Sequence, residues 1–181
     1  MTNKSIDVKE NYKKAVPELR KQFGWKNDLA VPKLSKVIIS VGTGSYKDKK
    51  KIDVVTNRLA KITGQKPKLT QAKKSIATFK LRQGDASGAM VTLRGQRMND
   101  FLNRLINVAI PRERDFRGLK ITSIDEMGNL SLGFKEHTIF PETADEDLKD
   151  VFSFGITITT TAKNKEEALA LFTAIGIPFK K

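Results

Sequence analysis

The feature that most constrains the fold is a set of short segments with a two-residue apolar period. Val37, Ile39 and Val41 point to one side of a strand over 33–41, and Lys36 and Ser40 point to the other. The same period recurs at 89–94, 130–134 and 156–160. Alternate residues of a strand face opposite sides. The pattern therefore predicts a sheet with one covered face and one open face.

Amphipathic helices separate these strands. Apolar residues at intervals of three and four predict helices over about 6–23, 52–62, 98–109 and 165–175. Pro17 predicts a kink or a late restart in the first helix. Gly64 is expected to end the second helix and Pro111 the third. Asn164 and Glu167 have the spacing of a capping box at the start of the last.

Together these elements predict an α+β fold. We expect a single domain over 1–181, mainly an antiparallel sheet with helices packed on one face, an open polar face and a long, mobile basic loop at about 73–88. A short strand at 68–72, a lysine-rich loop at 47–51, a hairpin at Gly128-Asn129 and an acidic surface stretch at 142–150 complete the prediction. If the strands share one sheet, its open face displays Lys36, Ser40, Thr92, Arg94, Thr157 and Thr159.

Charge indicates an anionic partner. The 181 residues carry a formal net charge of +14. Residues 31–120 alone carry +15, whereas residues 121–181 carry −4. Nucleic acid is the first expectation and an anionic membrane surface the second. No apolar run reaches the roughly 20 residues of a membrane span. The absence of cysteine excludes disulfides, cysteine-bound zinc and a thiol nucleophile.

Two motifs have alternative interpretations. Gly42-Thr43-Gly44 follows a strand, but Lys47 occupies the position of the third glycine of a dinucleotide fingerprint. We interpret it as a tight turn, with a backbone contact to an RNA phosphate as the alternative. His137 is the only histidine and is assigned a structural or surface role. No metal site and no cofactor are predicted.

The basic loop at 73–88 contains Phe79 beside Lys80 and Arg82. Cations neutralise phosphates, and an exposed ring stacks on a base. The alternative is that Phe79 attaches the loop to the body of the protein. The open sheet face lacks the aromatic pair of a single-strand RNA platform. Its hydroxyls and cations favour the wide minor groove of structured RNA.

The ordered motifs of the chain resemble those of bacterial large-subunit ribosomal protein five, the 5S rRNA-binding family of the central protuberance. The resemblance covers nearly the whole chain and rests on residues 31–36, Gly42 and Gly44, 62–67, 72–75, 79–84, 91–95, 111–119, 139–142 and 156–163.

This resemblance implies 5S rRNA contacts at Lys36, Gln65 and Thr92. The predicted binding set also contains Ser40, Lys66 and Arg94. The family usually has asparagine at the position of Ser40; serine keeps a hydroxyl but shortens the reach.

The resemblance also implies two further surfaces. The loop would approach the elbow of the peptidyl-site tRNA through Lys73, Lys74, Ser75, Phe79, Lys80, Arg82 and Gln83. Arg112, Arg114 and Arg117 would form an intersubunit bridge to small-subunit ribosomal protein thirteen. Contact with large-subunit rRNA, or ion pairing with Glu113 and Asp115, remains open for these arginines.

The expected role is thus a structural constituent of the cytoplasmic ribosome, a monomer within it, and not an enzyme. Two rival hypotheses are an enzyme that acts on RNA and a general nucleic-acid binder.

Overall fold

The computed structural model describes residues 7–44, 49–79, 81–114, 116–143 and 151–180. Its helices and strands are α1 (Val8–Phe23), β1 (Leu34–Gly42), α2 (Lys49–Thr63), β2 (Lys68–Gln71), β3 (Ala86–Leu93), α3 (Gly95–Arg104), α4 (Ile110–Arg112), β4 (Leu130–Phe134), β5 (Phe154–Thr160) and α5 (Lys165–Ile175). None of the described helices has the length and apolar character that crossing a membrane requires.

The strands form one five-stranded antiparallel sheet in the order β2-β3-β1-β5-β4. The chain divides into two compact units: the first unit comprises residues 1–37, 94–132 and 157–181, and the second comprises 38–93 and 133–156. Within the first unit, α1 contacts α5 and α3; within the second, α2 contacts β3 and the turn Pro141–Thr143. The α+β class is confirmed. One domain over 1–181 stays a prediction.

Burial follows the alternation that the sequence shows. In β1, Val37, Ile39 and Val41 are buried, whereas Ser40 is exposed. In β4, every second residue from Leu130 is buried. Burying a valine, leucine or isoleucine side chain contributes roughly 1.5–3 kcal/mol. The apolar period therefore fixes which side of each strand faces the core.

The loop between β2 and β3 is shorter than predicted, because β3 begins at Ala86. Pairing of β2 with β3 runs from Lys68↔Met90 to Gln71↔Ala86, with an irregularity between Thr70 and Gln71. A Cβ on Gly88 would lie 2.8 Å from the Val41 carbonyl oxygen. Gly88 is therefore a strand glycine that permits close approach of backbones, and not a loop glycine.

The interior of α1 and the start of α2 differ from the prediction, whereas α1 ends where it was expected to end. Helix α1 runs through exposed Pro17 without a restart and ends at Gly24, whose φ is 71°. The prediction placed 49–51 in a loop, but they form the first turn of α2; residues 45–48 lie outside the described part of the chain.

Helix α3 continues into a π-helical turn, Leu105–Ala109, before α4. Pro111 lies inside α4, and the chain leaves the helix only at Glu113. A proline ring clashes with the i−4 carbonyl of a regular α-helix, and a π turn relieves that clash. This turn explains why Pro111 does not end the helix as predicted.

The N-cap of α5 and the turn between Ile124 and Leu130 also depart from the expected patterns. Asn164 occupies the N-cap of α5 but makes no side-chain cap bond. The Glu167 carboxylate instead accepts the Lys163 N–H at 3.0 Å. The expected hairpin is a turn closed by the single antiparallel bridge Ile124↔Leu130. Of the acidic stretch, residues 144–150 lie outside the described ranges.

We predict that Gly128→Ala destabilises the protein by about 2 kcal/mol or more, from left-handed backbone strain and overpacking. Gly128 has φ 76°, and an added Cβ would lie 2.8 Å from the Ala162 Cβ. Urea unfolding measures the change. The control Gly133→Ala has nothing within 4 Å of its added Cβ and should cost less than about 1 kcal/mol. Equal losses in both variants would contradict this account.

A second prediction concerns Asp125. Hydrogen bonds from the Asn129 side-chain amide and backbone N–H hold the pKa of Asp125 below its ordinary value. Because the folded pKa is the lower one, this stabilisation is complete above the unfolded pKa and is lost as the pH falls through the folded pKa. The stability difference between wild type and Asp125→Asn should therefore begin to shrink as the pH falls below about 5 and continue to shrink as the pH passes through the folded pKa. An unchanged difference would refute the assignment.

Candidate nucleic-acid interface

The second unit brings Gln65 and Thr92 together. Gln65 follows the end of α2, and Thr92 lies in β3. The Gln65 Nε2 donates a hydrogen bond to the Thr92 carbonyl at 3.5 Å, and both residues are half-buried. This long bond holds the amide of Gln65 against the backbone of Thr92. The sequence placed both residues in the binding set but could not show that they are neighbours.

Thr63 holds Gln65 in place. Its hydroxyl donates to the Leu59 carbonyl at 2.8 Å, lies 3.1 Å from the Gln65 carbonyl oxygen and accepts the Gln65 N–H at 3.4 Å. Gly64 between them has φ 66°, which turns the chain out of α2. The sequence analysis missed Thr63, although a threonine before a helix-ending glycine is a usable signal.

The hydroxyls of Ser40 and Thr92 are open to an external partner. Ser40 is exposed on β1. Neither hydroxyl makes a hydrogen bond within the described part of the chain. Lys66 is exposed and pairs with none of the described carboxylates. Ser40, Gln65, Lys66 and Thr92 of the second unit therefore supply two free hydroxyls, an amide and a cation.

Hydrogen bonds within the basic loop hold its two ends together. Ala72 and Asp85 continue the strand pairing, since the Ala72 N–H donates to the Asp85 carbonyl at 2.8 Å. The Asp85 carboxylate accepts the Arg82 N–H at 2.8 Å. The Ser75 hydroxyl accepts the Gln83 N–H at 3.0 Å. Ser75 thus has a structural bond as well as its predicted contact role, and Asp85 is an organising residue that sequence reasoning missed.

The loop displays its cations. Lys73, Lys74 and Arg82 are exposed, as is Gln83. Ile76 and Leu81 exchange two backbone hydrogen bonds, of 2.9 and 3.2 Å, around the tip. Lys80 and the side chain of Phe79 lie outside what the structure describes, so the choice between stacking and attachment for Phe79 stays open.

Two residues of the predicted set belong to the first unit. Lys36 is half-buried on β1, on the same side of that strand as Ser40. Arg94 lies one residue beyond β3, where it is the N-cap of α3, makes no side-chain cap bond and is exposed. Arg94 is thus a helix-terminal residue and not part of the strand as predicted.

The arginine segment, residues 112–117, lies in the first unit; it begins at Arg112, the last residue of α4, and runs toward Leu119. Arg112, Arg114 and Arg117 are exposed. None of them makes an ion pair with a carboxylate that the structure describes, Glu113 included; Asp115 is outside the described ranges. Three exposed guanidinium groups that have no partner among the described residues can bind external anions.

Two other motifs have structural roles. The Thr43 N–H donates to the Ser87 carbonyl at 3.0 Å, so this amide is not available to a phosphate. His137 is buried, its ring is stacked on Phe152 with centroids 4.2 Å apart, and its Nε2 lies 3.2 Å from Arg58 Nη1. Within the described ranges, no cluster of three or more acidic or histidine side chains could hold a metal ion.

Two family models match the chain. The model described as ribosomal protein L5 matches residues 27–82, and the model that describes the C-terminus of the same ribosomal family matches residues 86–179.

Curated relatives match over almost their whole length. The large ribosomal subunit protein uL5 of Mycoplasma mycoides is 50% identical over 92% of this chain and 93% of its own. The uL5 proteins of Halothermothrix orenii and Ralstonia pickettii are 48% and 50% identical, over 95% and 96% of this chain and 97% of each relative.

The motifs, the α+β fold and these matches agree over nearly all of the sequence. The chain therefore belongs to the ribosomal protein L5 family, and it is a structural, non-enzymatic constituent of the large subunit of the cytoplasmic bacterial ribosome.

Proposed function

We propose that the chain, as one copy in the large subunit, binds 5S rRNA and attaches it to the central protuberance. The observation that carries this proposal is the pairing of Gln65 with Thr92, at 3.5 Å in the second unit. That pair supplies an amide and a hydroxyl, and Ser40 and Lys66 of the same unit add a second hydroxyl and a cation.

The chemistry of this set suits the minor groove of a structured RNA. That groove is wide and shallow and displays 2′-hydroxyls and base edges. Short hydroxyls and an oriented amide can donate to and accept from these groups, whereas Lys66 neutralises a phosphate. From the first unit, Lys36 and Arg94 add cations to the proposed 5S rRNA contacts, and large-subunit rRNA is a further partner.

The loop is proposed to contact the elbow of the peptidyl-site tRNA. Its exposed cations, Lys73, Lys74 and Arg82, match a phosphate backbone. The hydrogen bonds at the two ends of the loop support this proposal. A loop that is already held by backbone bonds and by the Asp85 carboxylate loses less conformational freedom when it binds. Phe79 and Lys80 complete the proposed contact set.

The arginine segment is proposed to form the bridge to ribosomal protein thirteen of the small-subunit head. The exposure of Arg112, Arg114 and Arg117 supports an external partner, since no described carboxylate neutralises them.

We predict that Thr92→Ala and Gln65→Ala each weaken binding to 5S rRNA by about five- to tenfold, the loss expected for one hydrogen-bonding group. Their salt dependence should change little, because neither residue contacts a phosphate. Lys66→Ala should weaken binding and also lower the slope of log affinity against log salt by about 1. Filter binding at four salt concentrations measures both quantities.

Thr122→Ala is the matched control, because Thr122 is an exposed threonine outside the proposed surface. It should leave both quantities unchanged. If Thr92→Ala and Gln65→Ala bind 5S rRNA as tightly as the wild type does, the proposed 5S rRNA contacts are refuted. Equal wild-type affinity for 5S rRNA, an unrelated hairpin and duplex DNA would favour the general nucleic-acid binder.

A gain of binding is predicted for Ser40→Asn. Asparagine is longer and adds donors and an acceptor at an exposed position of β1, so the affinity for 5S rRNA should rise by about threefold or more. Ser35→Asn is the control, because Ser35 lies on the opposite face of the same strand. An equal gain in both variants, or none in Ser40→Asn, would place the contact elsewhere.

A further inference from the structure

The arginine segment leads directly into a backbone contact with the C-terminal segment, Pro178–Lys180. The Leu119 N–H donates to the Pro178 carbonyl at 2.9 Å, and the Lys180 N–H donates to the Leu119 carbonyl at 2.8 Å. Leu119 and Phe179 are thereby paired as a parallel bridge. Leu119, which follows the arginine segment and Gly118, is thus held by hydrogen bonds on both its N–H and its carbonyl group.

Glycine at position 118 is required for this contact. Its φ is 94°, a value that other residues rarely adopt. A Cβ at this position would lie 2.7 Å from the Lys180 backbone nitrogen and 2.9 Å from its Cα. Any side chain here would therefore displace the C-terminal segment.

The C-terminal segment is itself anchored. The rings of Phe179 and Phe172 lie 6.5 Å apart between centroids, and Phe172 is fully buried on α5. Position 119 is therefore connected through Phe179 to the core of the first unit.

The other end of the arginine segment is also fixed. The Glu113 N–H donates to the carbonyl of buried Ile110 at 3.2 Å. With Glu113 and Leu119 both held by backbone hydrogen bonds, a span of five residues separates the two fixed positions. Without the C-terminal segment, the next residue that is both buried and paired is Ile124, so the span would about double, and the entropy cost of ordering it would rise.

We infer that the C-terminal segment Pro178–Lys180 positions the arginine segment for its contact with the small-subunit head. These are positioning residues, because they act through the backbone at Leu119 and not through their own charges. The inference rests on the proposed bridge and adds to it the part of the chain on which the bridge depends.

A double-mutant cycle tests the inference. Large subunits that contain wild type, Arg114→Ala, Gly118→Ala or the double variant are titrated with small subunits, and light scattering reports association. Arg114→Ala should weaken association by about fivefold in the wild-type background, as expected for a charged contact. Gly118→Ala should weaken it by about threefold, the cost of a doubled span. In the Gly118→Ala background, the effect of Arg114→Ala should fall below about twofold, which shows coupling.

Two companion variants separate positioning from charge and from misfolding. Lys180→Ala with Lys181→Ala removes two charges but keeps the backbone bonds, so the effect of Arg114→Ala should stay at about fivefold. Deletion of residues 179–181 should reproduce the result of Gly118→Ala without changing position 118. Binding to 5S rRNA, measured on all variants, should be unchanged and shows that each chain is folded.

The outcomes are distinguishable. If Arg114→Ala has no effect in the wild-type background, the proposed bridge fails and the inference fails with it. If Arg114→Ala is equally harmful in both backgrounds, the bridge stands and the positioning role is overturned. If Arg114→Ala and Gly118→Ala are coupled only in their effect on 5S rRNA affinity and not in subunit association, the inference is also overturned.

Discussion

The close approach of backbones at Gly88 is the constraint on which the second unit depends. A Cβ there would lie 2.8 Å from the Val41 carbonyl and 2.9 Å from the Thr70 hydroxyl oxygen. β3 can therefore lie this close to the backbone of β1 only because position 88 has no side chain. Thr92 lies four residues further along β3, Gln65 bonds to its carbonyl, and the basic loop joins β2 to β3. The strand that carries Thr92 and receives the basic loop thus passes this close to β1 at Gly88.

The polar groups of the interface are of two kinds. Thr63, Ser75 and Asp85 make hydrogen bonds inside the protein and hold the shape of a turn or loop. Ser40 and Thr92 have hydroxyls without internal partners in the described part of the chain. Solvent satisfies such groups in the free protein, so an RNA that replaces water at them gains specificity more than affinity. The exposed cations supply the part of the affinity that depends on salt.

In the first unit, the arginine segment is held by backbone bonds at both ends, so its guanidinium groups stay available to a partner.

Much of the architecture could be predicted from sequence, because local physics determines it. The two-residue period at Val37, Ile39 and Val41 identified the buried face of β1, and the glycines at 24 and 64 ended helices where a left-handed residue is needed. The sequence-based predictions failed where the surrounding structure overrides the local conformational preference of a residue. Pro111 does not stop its helix because a π turn accommodates it, and Gly88 resembles a loop glycine until its strand neighbours are known.

Residue types and their spacing establish the class of the protein, the alternation of its strands, the concentration of positive charge in residues 31–120 and the family to which the chain belongs. These properties depend on residue type and on spacing along the chain. Folding, in contrast, places Gln65 beside Thr92, closes the basic loop through Asp85 and holds Leu119 against Pro178–Lys180. Each of the three is a hydrogen-bonded contact whose geometry is set by folding, and no periodicity in the sequence encodes it.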